Sequence, residues 1–148
     1  MKIAIGCDHG GFTLKQLILK HLEQKGYTIK DFGCFSEASV DYPDYAYPVA
    51  KAVVSGEAEK GILICGTGIG MSIAANKVKG IRCALCCDTF SAHATAEHND
   101  SNVLALGARV IGPGLALDIV DAWLGAQFMG KQHIARIEKI TKIETQEL

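Results

Sequence analysis

The sequence predicts an α/β fold, an open doubly wound parallel sheet in one domain of 148 residues. Two observations predict it. Short runs rich in β-branched and other apolar residues alternate with longer segments of helical period, five times over. The short runs are apolar almost without interruption, the pattern of parallel strands covered by helices on both faces. At this length roughly 68–70% of the unfolded surface leaves water, enough to bury a proper core.

The elements follow in order. Lys2–Gly6 reads as the first strand. Leu14, Leu17, Ile18 and Leu22 recur at spacings of three and four, so they share one helix face, and Gly26 stops that helix. Thr28–Phe32 is the second strand, Tyr45–Val54 the second helix, Gly61–Cys65 the third strand and Ile69–Lys77 the third helix. Ile81–Cys86 is the fourth strand, after which Asp88 offers an N-cap to a helix over Thr89–Glu97. Val103–Leu106 is the fifth strand, and Pro113 starts the helix that carries Leu115–Trp123. The tail from Lys131 to Ile143 sets Ile134, Ile137 and Ile140 on one face with charges opposite. It predicts an extra C-terminal helix, within 131–148, that packs on a neighbour. No repeat, linker or low-complexity stretch divides the single domain over 1–148.

Composition narrows the function. The net charge is −1, so no global field draws the chain to nucleic acid or to an anionic membrane. Any anion must be held by a local site. The apolar run Met1–Gly6 is far too short for a signal peptide, and no window reaches the ~18 apolar residues of a membrane span. The 6 cysteines stand at 7, 34, 65, 83, 86 and 87, several inside strand-like runs. That placement argues against a disulfide framework and for a reducing, cytoplasmic setting. Cys83 and Cys86 form a Cys-x-x-Cys pair with no second pair to complete a zinc site, so no metal is expected.

In parallel sheets of this kind ligands bind beyond the strand ends, which directs attention there. The first strand ends in Gly6-Cys7-Asp8-His9-Gly10-Gly11, a carboxylate and an imidazole side by side. Taken alone, the pair reads more simply as a turn in which Asp8 caps the next helix. The third strand ends in Cys65-Gly66-Thr67-Gly68-Ile69-Gly70, whose alternate glycines allow a tight turn that presents successive N–H groups. Such a loop can hold a phosphate or an oxyanion that develops during reaction. It lacks the Lys-Ser/Thr ending of a nucleotide P-loop. Cys65 is therefore a base or nucleophile, or simply a small buried residue. Thr67 is a proton relay or a helix cap. His98 and Asn99 stand just before the fifth strand, a poor place for core packing and a good one for ligand contact, whereas His93 reads as a solvated helix residue. Arg109 and Arg136 can each hold a phosphate bidentately or serve as surface arginines. His133 lies one turn before Arg136 on the same helix face.

Together, Gly6–Gly11, Asp41-Tyr42-Pro43, Ile64–Gly70 and His98-Asn99-Asp100 resemble the type B ribose-5-phosphate isomerases. The resemblance runs over essentially the whole chain, including Ile119–Leu124. That family also holds subunits of galactose-6-phosphate isomerase and an allose-6-phosphate isomerase. The resemblance implies a Rossmann-like three-layer sandwich with a five-stranded parallel sheet. It implies metal- and cofactor-free interconversion of ribose 5-phosphate and ribulose 5-phosphate, in the non-oxidative branch of the pentose phosphate pathway. By the same resemblance, Cys65 as thiolate removes the carbon-bound proton, and Thr67 passes a proton between O1 and O2. The N–H groups of Gly66, Gly68, Ile69 and Gly70 hold the enediolate. His98 opens the sugar ring with Asp8 as its acid–base partner, and Tyr42 and Asn99 hold sugar hydroxyls. The phosphate falls to His9, Arg109 and Arg136. Some members carry a further arginine four residues before the last of these. Here that residue is Gln132, with His133 beside it to compensate. Other members use a glutamate base further along the loop, where Ser72 and its neighbours offer no carboxylate. The resemblance further implies a homodimer, with tetramers as a further step, whose sites are shared between subunits. The partner it names is a small sugar phosphate, with neither nucleic acid nor membrane. The competing readings are an isomerase of a six-carbon aldose phosphate, a phosphate- or nucleotide-binding module without turnover, and a thiol-redox protein working through Cys7 or Cys86-Cys87.

Overall fold

Periodicity along the strands assigns the two faces of the sheet. Ile3, Ile5, Ile62, Ile64, Leu104 and Leu106 pack into one buried cluster, while the intervening Ala4, Leu63, Cys65, Val103 and Ala105 pack into another. The computed structural model describes residues 1–147; Leu148, the last residue of the expected tail, lies outside the described residues. Its elements are β1 (Lys2–Cys7), α1 (Phe12–Gln24), β2 (Thr28–Asp31), α2 (Pro43–Val54), β3 (Lys60–Cys65), α3 (Ile69–Ala75), β4 (Cys83–Leu85), α4 (Thr89–Asn99), β5 (Val103–Gly107), α5 (Pro113–Gly125) and α6 (Gln132–Glu144). A short 3₁₀ turn, His9–Gly11, joins β1 to α1.

The strands run parallel in the order β2-β1-β3-β5-β4. Ile18 and Leu22 of α1, Ala92 and Ala96 of α4, and Ile119, Val120 and Trp123 of α5 cover the first face. Ala46, Val49 and Ala50 of α2, with Met71 and Ala75 of α3, cover the second. The result is the expected three-layer α/β sandwich. Because β2 and β3 flank β1 on opposite sides, the strand order reverses between β1 and β3. A crevice therefore opens at their carboxyl ends.

Three boundaries differ from expectation for local reasons. The fourth strand shrinks to Cys83–Leu85, since side chains satisfy the backbone before and at its start. Arg82 N–H donates to Asn102 Oδ1 at 2.8 Å, and Cys83 exchanges bonds of 2.8 and 2.9 Å with the Asn76 amide. That same asparagine ends α3 early, at Ala75. Helix α2 begins at Pro43, whose fixed φ suits a first turn.

Helix α6 forms as the pattern predicts, but its apolar face is uncovered within the chain. Ile134, Ile140 and Ile143 are 48%, 46% and 62% exposed. The helix is tied down at its ends: Met129 N–H donates to Glu97 O at 3.0 Å, and the Glu144 carboxylate accepts from Gly80 N–H at 3.0 Å. Among the described residues no helix is long and apolar enough to cross a membrane.

Candidate functional site

The candidate residues fall into two groups, and strand direction explains why. The first group sits at the carboxyl pole of the sheet. Asp8 N–H donates to Ile64 O at 3.1 Å, laying the loop after β1 against the end of β3. Asp8 Oδ1 accepts from Gly10 N–H at 2.9 Å and Gly11 N–H at 3.2 Å, so the capping reading of Asp8 is realised. Gly11 leaves no room for a side chain, because a β carbon would lie 2.5 Å from Ile64 O. A β carbon on Gly10 would lie 3.2 Å from Gly66 N, which places the Asp8–Gly11 and Cys65–Gly70 loops side by side.

Cys65, 5% exposed, ends β3. Its Sγ accepts from Gly68 N–H at 3.1 Å. This contact exists because Gly68 adopts a left-handed backbone, φ 77°, that turns the chain back over the strand end. Thr67 is exposed, and its Oγ1 accepts from Ile69 N–H at 3.2 Å, leaving the hydroxyl proton free to be donated. Arg109 N–H donates to Gly66 O at 2.9 Å, and its guanidinium packs on Gly66, 3.3 Å from where a β carbon would stand. The Tyr42 ring lies over Gly70 in the same way, at 2.9 Å. His9 Nδ1 accepts from Val40 N–H at 3.2 Å.

The second group sits at the amino pole. Helices antiparallel to the strands start at the carboxyl pole and end at the other, so the last residues of α4, His98 and Asn99, come down beside the start of β3. Gly61 N–H donates to Asn102 O at 2.9 Å, and Lys60 Nζ donates to Ser101 O at 2.6 Å. Cys65 is at the far end of that same strand, roughly 16 Å away at ~3.3 Å per residue. "Just before a strand" and "just after a strand" are opposite ends of the molecule. The chain's own Asp8 and His98 are therefore not brought together.

At this second pole His98 stacks on His133, centroids 4.5 Å apart and planes 12° from parallel. His98 is exposed and His133 buried. Burial, and then the charges of His98 and Arg136, hold the His133 imidazole below its usual value, against a weaker pull from Glu97. Gln132 Nε2 is 3.4 Å from His133 Nε2, and Arg136 is exposed one turn on. Arg82 fixes the backbone here, donating from Nε to Asn99 O at 2.9 Å and from Nη2 to Asp100 O at 2.8 Å. His93 is solvated, as expected, and lies 3.2 Å from Glu97.

Sequence reading passed over Lys15. It falls on the apolar face of α1 with Ile18 and Leu22, and it is fully buried, with its ammonium on Asp31 and on the carbonyl of Cys34. The signal was a lysine at an apolar helical position with an aspartate at the end of the next strand.

Residues 3–140 match the family described as Ribose/Galactose Isomerase. The chain is 56% identical to ribose-5-phosphate isomerase B of Escherichia coli, with 97% of this chain and 96% of that protein aligned. It is 49% identical to the D-erythrulose-4-phosphate isomerase of Pectobacterium atrosepticum, over 99% of this chain and 97% of that one. The structure of Clostridium thermocellum ribose-5-phosphate isomerase B superposes with a TM-score of 0.98 at 55% identity, covering 100% of both chains. The motifs at the strand ends, the sheet order and these end-to-end matches agree: the chain belongs to the ribose/galactose isomerase family.

Proposed function

We propose that the protein interconverts ribose 5-phosphate and ribulose 5-phosphate through an enediolate. The observation that carries this reading is the cradle at the end of β3, where Cys65 Sγ takes an N–H from Gly68 beside Asp8, Thr67, Arg109 and Tyr42. The names of the Escherichia coli and Clostridium thermocellum relatives support ribose 5-phosphate as substrate.

In this mechanism the Cys65 thiolate takes the proton from C2 of the open-chain aldose and returns it to C1. Negative charge moves onto the oxygens, where the N–H groups of Gly66 and Gly70 meet it, while those of Gly68 and Ile69 hold Cys65 Sγ and Thr67 Oγ1 in place beside it. Thr67, whose hydroxyl proton is free, carries a proton between O2 and O1. Arg109 and His9 take the phosphate at this pole, and Tyr42 a sugar hydroxyl.

Ring opening needs His98, which stands at the other pole. A two-fold dimer answers this need, because it sets the amino pole of one copy on the carboxyl pole of the other, twice. Each site then takes Cys65, Thr67, Asp8, His9, Tyr42 and Arg109 from one copy, and His98, Asn99, His133 and Arg136 from its partner. Uncovered apolar side chains flank both poles, Ile69, Ile73 and Tyr47 near the first and Ile134 and Ile140 near the second, as such an interface requires. The enzyme is read as cytoplasmic.

A turnover panel of ribose 5-phosphate, erythrulose 4-phosphate, allose 6-phosphate and galactose 6-phosphate tests the assignment. Preference for ribose 5-phosphate is expected. Binding without turnover of any of them would overturn it.

A further inference from the structure

The loop from Phe32 to Tyr42 crosses the carboxyl pole as a strap and reaches His9 from outside the catalytic loops. At its root lies Lys15, 0% exposed. A buried ammonium must find a partner for each of its three protons. Lys15 does so: Nζ donates to Asp31 Oδ1 at 2.7 Å, to Asp31 Oδ2 at 2.8 Å and to Cys34 O at 2.7 Å. The Phe35 ring of the strap covers the same ammonium at 4.9 Å. Asp31 Oδ1 also accepts from Gly33 N–H at 2.9 Å, and Cys34 N–H donates to Cys7 O at 2.8 Å. The root is thus locked to α1 and to the end of β1. Midway, Thr13 Oγ1 donates to Glu37 Oε1 at 3.1 Å. At its far end Val40 N–H donates to His9 Nδ1 at 3.2 Å.

A ring nitrogen that accepts a hydrogen bond carries no proton, so the contact with Val40 puts the His9 proton on Nε2. We infer that Lys15 is a positioning residue: through the strap it rooted on α1, it fixes His9 as an Nε2–H donor for the substrate phosphate. A ring free to take the other tautomer would turn a lone pair toward the phosphate for part of the time. The inference rests on the reading that His9 meets phosphate, but its first readout does not.

The test uses the full-length protein. Long-range ¹H–¹⁵N NMR, with His9 assigned from a His9→Gln spectrum, should show protonated Nε2 and unprotonated Nδ1 in the wild type. Two variants act on the strap without touching substrate. Val40→Pro removes the one N–H. Lys15→Met with Asp31→Asn removes the buried charge and its counter-charge together, so neither is left orphaned. In both variants His9 is expected to become a mixture of tautomers. KM for ribose 5-phosphate should rise by about two-fold, in proportion to the rings whose lone pair faces the phosphate, with kcat unchanged. A merely structural role would lower the folded fraction and leave tautomer and KM unmoved. The inference is overturned if either variant, folded by circular dichroism, keeps the wild-type His9 tautomer. It is equally overturned if the paired Lys15 and Asp31 variant does not fold, since Lys15 is then structural. Absence of wild-type turnover on ribose 5-phosphate would instead sink the proposed function and leave the tautomer readout to decide this one.

Discussion

Among the cysteines, place in the chain separates chemistry from packing. Burial first pushes the Cys7 and Cys83 thiols up to about 12, and burial with the nearby Asp88 charge pushes Cys86 up to about 11. They keep their protons at neutral pH, which disfavours the thiol-redox reading through Cys7 or Cys86. Cys65 is buried too, yet its sulfur has a backbone donor because the chain turns through Gly68. Two substitutions at this turn should part company. Cys65→Ala is expected to cut kcat/KM by roughly 10³-fold, the loss of a general base. The same change should cost only about 1 kcal/mol of stability, as a small cavity. Gly68→Ala should instead cost stability. The left-handed backbone alone costs about 1–2 kcal/mol for a residue with a side chain. Its β carbon would stand 2.5 Å from Leu85 Cδ1 and 2.9 Å from the Leu106 carbonyl carbon. Urea unfolding should show a loss of about 2–3 kcal/mol. Legibility at this scale was uneven. The Cys65 loop stands out in sequence because its glycines are dense, whereas Lys15 hides as one more charge on an amphipathic helix.

At the scale of elements, the seam between α4 and α6 joins His98, His133, Glu97 and Arg136. Since His133 is held below its usual value in the fold, the unfolded chain binds more protons as pH falls below ~6.5. The stability this neutral ring contributes is present above that pH and is lost as pH drops toward the lower folded value. The urea midpoint should therefore fall between pH 7.5 and 5.5, and His133→Phe, which keeps a flat ring on His98, should flatten that part of the dependence. Helix α6 was legible as an element from the spacing of Ile134, Ile137 and Ile140. What covers that face was not, for periodicity marks an apolar stripe without saying which surface meets it.

At the scale of the whole molecule, the two poles make a prediction that no single-copy site would pass. Cys65→Ala and His98→Asn variants, each inactive alone, should regain activity when unfolded together and refolded as a mixture. Random pairing makes half the dimers mixed, and each mixed dimer holds one intact site of two, so about a quarter of wild-type turnover is expected. Recovery near zero would place both residues in sites of one chain and overturn the shared site. Residues close together in the chain were enough to specify the parallel sheet, the succession of its elements and the glycine-rich loops at the strand ends. Those depend on local period, capping and backbone permission, which neighbouring residues carry. Which of those residues meet was set by how the elements pack. Helix direction sends His98 to the amino pole, and the strap brings Val40 to His9. Both are consequences of three-dimensional packing, which no spacing along the chain records.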